Sequence, residues 1–260
     1  LTWFIPPDEH VPSSHKVFSL LNVRPDGTHA GSPLKDVLNA VRQYPNRFIP
    51  GFCPWPASIQ AADEFEVAVE MHGVRVCGEW SYRMLLDDPR SIELFRRAGK
   101  LKCPVVLHID VSFLPNIDCV PVYQEFWYGG MPGPLERALQ ASPDTIFIGH
   151  APGFWRYISG DAEEDPDMYP KGPIQPGGEL IRLFDDYPNL YADLSAGSGL
   201  GALIRNVDQG RQFLVKYSDR LLFGRDAPGN VLQDHLKKLN LPVDVWNSIT
   251  KVNANRLINL

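Results

Sequence analysis

The sequence predicts a parallel (β/α)8 barrel with an incomplete or missing first strand, and three observations lead there. The chain has 260 residues, near the roughly 250 typical of one such barrel. Short β-branched runs alternate strictly with amphipathic stretches of about ten to fifteen residues, the pattern of repeated βα units and a parallel sheet. Several of those runs end in a residue able to bind a metal or move a proton, and in a parallel barrel the strand ends converge on one face.

The first clear strand spans Lys16–Val23, followed by Arg47–Phe52, Val74–Glu79, Pro104–Ile109, Thr145–His150, Leu190–Ser195 and Arg220–Gly224. Helices are expected between them at Leu34–Tyr44, Ile59–His72, Ser91–Leu101, Gly133–Ala141, Gly178–Tyr187 and Leu200–Tyr217, each with apolar residues three or four apart. Tyr44-Pro45-Asn46, Ser142-Pro143-Asp144 and Tyr187-Pro188-Asn189 repeat one device, a proline that stops the helix before the next strand. Seven strands fall one short of closure, so the remaining one is expected at Leu1–Ile5 or upstream of residue 1, since open parallel edges are usually covered. The segments Asp110–Pro132 and Ala151–Gly177 are too long for simple connections, and long loops at strand ends are where barrel enzymes build pockets.

Composition narrows the partners. A hydrophobic content of 44% supports a sizeable core, and no Ser/Gly-rich or charged linker divides residues 1–260, so a single domain is expected. The net charge of −6 and pI near 5.6 disfavour nucleic acid, whose binding depends on Lys and Arg. Apolar runs such as Cys103–Ile109 fall far short of the roughly 20 residues needed to cross a bilayer. Cys53, Cys77, Cys103 and Cys119 are widely spaced and form no C-x-x-C pair, which fits buried thiols in a cytoplasmic, reducing compartment. A small-molecule substrate is the expected partner, and self-association stays open.

The chemistry-bearing strand ends are Leu107-His108-Ile109-Asp110, Ile148-Gly149-His150 and Phe223-Gly224-Arg225-Asp226, with Cys77-Gly78-Glu79 supplying a carboxylate at the corresponding place. Taken alone, each His reads as a satisfied core or loop residue. Repetition at equivalent positions favours one shared polar site. Imidazole nitrogen with carboxylate oxygen suits Zn²⁺, with Mn²⁺ or Fe²⁺ as alternatives. Arg225, beside Asp226, has a planar fork that can pair with a substrate carboxylate, and a salt bridge is its ordinary alternative. Phe126, Trp127 and Tyr128 crowd one long loop, and Phe154, Trp155, Tyr157 and Tyr169 the other. Trp155 is the leading substrate-pocket residue because it follows His150 by only five positions.

These segments, with Asn189-Leu190-Tyr191-Ala192-Asp193-Leu194-Ser195 and the ending Val252-Asn253-Ala254-Asn255-Arg256-Leu257-Ile258, resemble the amidohydrolase superfamily. The closest branch is the one called amidohydrolase-related or amidohydrolase 2, which includes decarboxylases and lactone hydrolases. The resemblance implies a divalent metal, usually zinc, held by a His-x-His pair on the first strand, a His on the fifth, often one on the sixth, and an Asp on the eighth. On that reading His108 is the fifth-strand ligand, His150 the sixth-strand His and Asp226 the eighth-strand Asp that serves as general base, with Glu79 at the end of the fourth strand. No His-x-His occurs, and His10 and His15 are too far apart to replace it. The chain starts at Leu rather than Met. Two readings therefore stand: a first strand with its ligands lay upstream, or this member lacks a complete metal site.

The resulting expectation is a metal-dependent hydrolase acting on a C–N or C–O bond of a small molecule through activated water, with non-oxidative decarboxylation as the competing reaction. A non-catalytic barrel with a decayed metal site is a third reading. Gly197-Ser198-Gly199-Leu200-Gly201-Ala202 superficially satisfies a dinucleotide-binding fingerprint, and hence an oxidoreductase, but sits far from the first βα unit where that motif belongs. No G-x-S-x-G elbow supports a serine hydrolase.

Overall fold

The computed structural model describes residues 17–19, 34–45, 47–125, 127–226 and 229–258. In chain order the strands are β1 (Val17–Ser19), β2 (Phe48–Phe52), β3 (Val76–Trp80), β4 (Val105–His108), β5 (Phe113–Pro115), β6 (Pro121–Tyr123), β7 (Phe147–His150), β8 (Leu190–Asp193) and β9 (Leu221–Leu222). The helices are α1 (Leu34–Gln43), α2 (Ala61–His72), α3 (Pro89–Lys100), α4 (Gly133–Ala141), α5 (Pro152–Trp155), α6 (Glu179–Asp186), α7 (Ala196–Ile204), α8 (Val207–Lys216), α9 (Val231–Lys238), α10 (Val243–Asn247) and α11 (Asn253–Ile258). The parallel sheet has the order β1-β2-β3-β4-β7-β8-β9, and β5-β6 form a separate antiparallel hairpin. This is an incomplete (β/α)8 barrel, with all seven expected strands present in shortened form. The strand expected at Leu1–Ile5, His10, His15 and Phe126 lie outside the described residues.

Alternation along each strand sorts side chains into two layers. Ile49, Val76, Val106, Ile148, Tyr191 and Leu222 form an inner cluster, closed by Ala254 and Ile258 of α11. Val105, Leu107, Phe147, Leu190 and Leu221 belong to the larger cluster between sheet and helices. Two residues beyond an inner position lies another inner position, so Val106 is followed by His108, Ile148 by His150, and Tyr191 by Asp193. The parallel register then sets Val106 opposite Ile148 and His108 opposite His150.

Helix boundaries follow local chemistry. Asp88 caps α3 by accepting from Arg90 N at 2.9 Å, with Pro89 in the first turn, and Gly73 ends α2 at φ 68°. The single helix expected over Leu200–Tyr217 is instead two: Asn206 is extended, and its side chain accepts from Gln209 N at 3.1 Å to start α8 afresh. The loop at Asp110–Pro132 contains the hairpin, and Ala151–Gly177 begins with α5. The C-terminal helices α9, α10 and α11 were not expected. Cys53, Cys77 and Cys103 are buried and Cys119 is exposed. No helix among the described residues is long and apolar enough to cross a membrane.

Candidate metal centre

Glu79, His108 and His150 each offer a ligand atom, and these atoms lie within 4.8 Å of one another. Glu79 reaches this cluster through a register shift: between Cys77 and Trp80, β3 spends three residues where β4 spends two. Strict alternation from Val76 would turn Glu79 outward, and the bulge re-aims it. Gly78 makes room, since a Cβ there would stand 3.0 Å from Val106 Cβ.

His108 lies between two carboxylates, with Nδ1 2.8 Å from Glu79 Oε1 and Nε2 3.3 Å from Asp110 Oδ2. His150 has Nδ1 3.1 Å from Asp193 Oδ2 and Nε2 3.7 Å from Asp226 Oδ2. The two rings meet edge to face at 5.5 Å. Burial works against charge on both rings, but the Glu79 charge and bonds from Asp110 and Glu79 raise His108 to about 9, and bonds from Asp193 and Asp226 raise His150 to about 10. Burial likewise opposes ionisation of Glu79, yet the two imidazoles hold its carboxyl far below the usual range. Asp226 is also held low, burial being outweighed by His150.

The turn after His150 is built to fit the His108 strand end. Ala151 adopts φ 79°, Pro152 opens α5, and Gly153 lies so close that a Cβ would stand 2.5 Å from Asp110 Cα and Ile109 O. Phe154 fills the space beside Gly149, where a Cβ would meet its ring at 2.2 Å. Trp155 is buried and donates its indole N–H to the Asp193 carbonyl at 3.1 Å.

The donor chemistry suits a divalent cation. Four carboxyl groups face two imidazoles, Asp110 Oδ1 is buried without a hydrogen-bond partner, and two nitrogens with one carboxylate are a borderline-soft set that leaves room for another ligand. A cation on either ring would take the place of a proton.

Of the four expected ligands, three converge, and Asp226 stands outside that trio beside His150. Arg225 forms no ion pair among the described residues: its Nη2 donates to Asn230 Oδ1 at 2.6 Å and Gln233 Oε1 at 2.7 Å, so the salt bridge offered as its ordinary role is replaced by neutral partners at the start of α9. Two residues carried no expected role. Asp110 is the next inner position after His108, a signal present in the alternation. Asp193 comes to His150 only through the pairing of β7 with β8. Ser195 donates to Asp193 Oδ2 and lies 3.4 Å from His150 Nδ1. The glycines of the apparent dinucleotide fingerprint lie in α7, where Gly199 approaches Leu194 O to 2.5 Å of a would-be Cβ.

Fold and donors together define a barrel with a candidate divalent-metal centre at the strand carboxyl ends. An amidohydrolase family profile matches residues 15–257, and the chain belongs to that family. It is similar to an uncharacterised TIM-barrel protein from Bordetella bronchiseptica (TM-score 0.65, 18% identity, covering 95% of this chain and 79% of that one). It is also similar to 2,6-dihydroxybenzoate decarboxylase from Rhizobium (TM-score 0.54, 17% identity, 86% and 75%). A third similar structure is a dihydroxybenzoic acid decarboxylase from Polaromonas with bound manganese and the inhibitor 2-nitroresorcinol (TM-score 0.52, 18% identity, 87% and 73%). At these identities the likeness is one of fold. Among curated proteins none matches the chain.

Proposed function

We propose that residues 1–260 are one amidohydrolase barrel domain that holds a divalent metal through Glu79, His108 and His150 and hydrolyses a C–N or C–O bond of a small organic molecule. The observation that carries this reading is the convergence of those three donors within 4.8 Å, with Asp226 3.7 Å from His150. When bound, the cation supplies Lewis acidity and lowers the pKa of water from 15.7 to about 7. Asp226 has the more accessible of the two carboxylates on His150, its side chain being 32% exposed against 0% for Asp193. Held ionised, it orients and deprotonates the attacking water as general base. His150 fixes that carboxylate. Trp155 and Arg225 are the substrate-binding residues in this reading, Arg225 as the cation nearest Asp226 in sequence. Zn²⁺ suits the nitrogen-rich donors.

Non-oxidative decarboxylation is the second reading, favoured by the activities of the Rhizobium and Polaromonas proteins and by manganese in the latter. Metal analysis and product analysis test both. Protein equilibrated with Zn²⁺ or Mn²⁺ should retain about one ion per chain and lose it in His108→Ala. Release of CO2 from an aryl carboxylate would select the lyase over the hydrolase. Retention of metal by His108→Ala at the wild-type level would remove this centre from the mechanism.

A further inference from the structure

The antiparallel pair β5–β6 stands apart from the barrel sheet and pairs with no other strand among the described residues. Leu114 is buried, whereas Phe113 and Tyr123, opposite each other with rings 5.7 Å apart, are each 55% exposed. Val120 and Val122 are exposed as well, and Ile117 at the tip is 92% exposed. An isolated two-stranded hairpin is marginal in water, and monomers rarely present large contiguous apolar patches.

The tip is a closed turn. Asn116 Oδ1 accepts from Asp118 N and Val120 N, both at 2.9 Å, while Asn116 N donates to Val120 O at 2.9 Å and Asn116 O accepts from Cys119 N at 3.0 Å. Ile117 is projected by this fixed turn, so seating it against a partner costs little further ordering. Beside this knob lies a hole. A groove of about 320 Å³ is bounded by Pro115 and Cys119, which flank Ile117 in the chain, and by Leu85, Met131 and Pro134 from neighbouring segments. Ile117 itself stays outside that groove.

The chemistry of the patch selects its partner. Between Lys102 and Arg137 the chain has no Lys or Arg, so the hairpin offers nothing to attract nucleic acid or an anionic lipid surface. Pro115 faces Pro121 across the hairpin, and neither has an N–H for an added strand, so contact runs through side chains. A knob and a hole side by side are self-complementary under a two-fold axis: each tip enters the other's groove, both are filled, and the assembly closes at two. Asp118 adjoins the knob, and Arg137, 57% exposed, lies one turn beyond Pro134 on α4, so knob and groove edge carry opposite charges. Hairpin and groove walls together supply about the 20–30 residues a side of a stable interface.

We propose that two copies of this chain associate about a two-fold axis, with Ile117 of each hairpin tip seated in the groove beside Leu85 and Pro134 of the other.

Sedimentation equilibrium of the full chain should give twice the 29.2 kDa of one chain in the micromolar range. Ile117→Asp should weaken association at least about thirtyfold, as expected for a buried hot spot, yet keep the wild-type circular dichroism spectrum because Ile117 is so exposed within its own chain. Ile117→Leu should stay dimeric, and Leu85→Glu, on the hole side, should dissociate the pair as Ile117→Asp does. A Cys119→Ser background leaves only buried thiols. In it, a short bis-maleimide should join Ile117→Cys protein to Leu85→Cys protein far more than it joins either to itself. A monomer throughout the micromolar range, a dimer indifferent to Ile117→Asp, association that continues beyond two, or Ile117-dependent binding of a monomer to phosphatidylcholine vesicles would each overturn the proposal.

Discussion

His108 and His150 are direct partners across β4 and β7, yet their surroundings differ. The His108 side chain is 22% exposed and lies between Glu79, from the preceding strand, and Asp110, from its own chain two residues on. His150 is almost completely enclosed, and its Nδ1 faces an aspartate that is held in turn by Ser195 and, through its backbone, by Trp155. One imidazole is open to exchange; the other is locked from behind. The difference teaches that carboxylates around a common site can divide their work, those facing the opening acting on reactants and those behind fixing geometry.

That division is sharpest at His150, where Asp226 and Asp193 approach opposite nitrogens. Asp226→Asn keeps shape and removes the proton acceptor, so kcat should fall by roughly 10² to 10⁴ with little change in melting. Turnover and melting measured on one preparation test this, and near-normal kcat would exclude Asp226 as base. Asp193→Ala should act on the fold, costing about 3–5 kcal/mol because a buried partner of His150 is lost. Urea unfolding reads this directly, and a wild-type midpoint would break the contrast between the two aspartates.

Gly153→Ala probes how tightly the two histidine regions are joined. Its Cβ would collide with the backbone at Ile109 and Asp110, so a destabilisation of about 1–3 kcal/mol is expected. Calorimetric melting indistinguishable from wild type would show that the α5 turn and the His108 strand end are not braced against each other.

The smallest effect is expected at an exposed counterpart. Glu136 accepts two bonds from Arg182, at 2.8 and 2.9 Å, and one from Tyr187 at 2.8 Å, which together hold its carboxyl below the ordinary range despite some burial. Solvent screens this network, so Arg182→Ala should cost only about 0.5 kcal/mol near neutral pH. Because the folded-state pKa is depressed, that contribution is present above the unfolded carboxylate pKa and is lost as pH falls through the folded value. A pH series of denaturation midpoints should show wild type and variant converging in acid. A cost matching that of Asp193→Ala would mean that burial does not separate the two networks.

The strand framework and three of the clustered donors were legible because period-two alternation and the Pro stops at 45, 143 and 188 act locally. Glu79 could be nominated from its place at a strand end, but the bulge that aims it inward depends on β3 pairing with β4. Asp193 was visible as a residue and silent as a partner, since only the β7–β8 pairing brings it to His150. The break at Asn206 was hidden by continuous apolar spacing, although Asn is a good cap. Helices α9 to α11 are five to eight residues long, too short for helical periodicity to stand out, and tertiary packing sustains them.

Except for the outlying hairpin, the order of strands in the sheet is their order along the chain. During synthesis each new strand thus emerges beside one already made, and Glu79, His108 and His150 can assemble before β9 appears. That last strand depends on segments made later still: Asn253 donates to Ser218 O and Leu221 O, and Ile249 O accepts from Phe223 N. The three donors therefore lie on strands made early, whereas the end of β9 that leads to Asp226 is held by the helices made last.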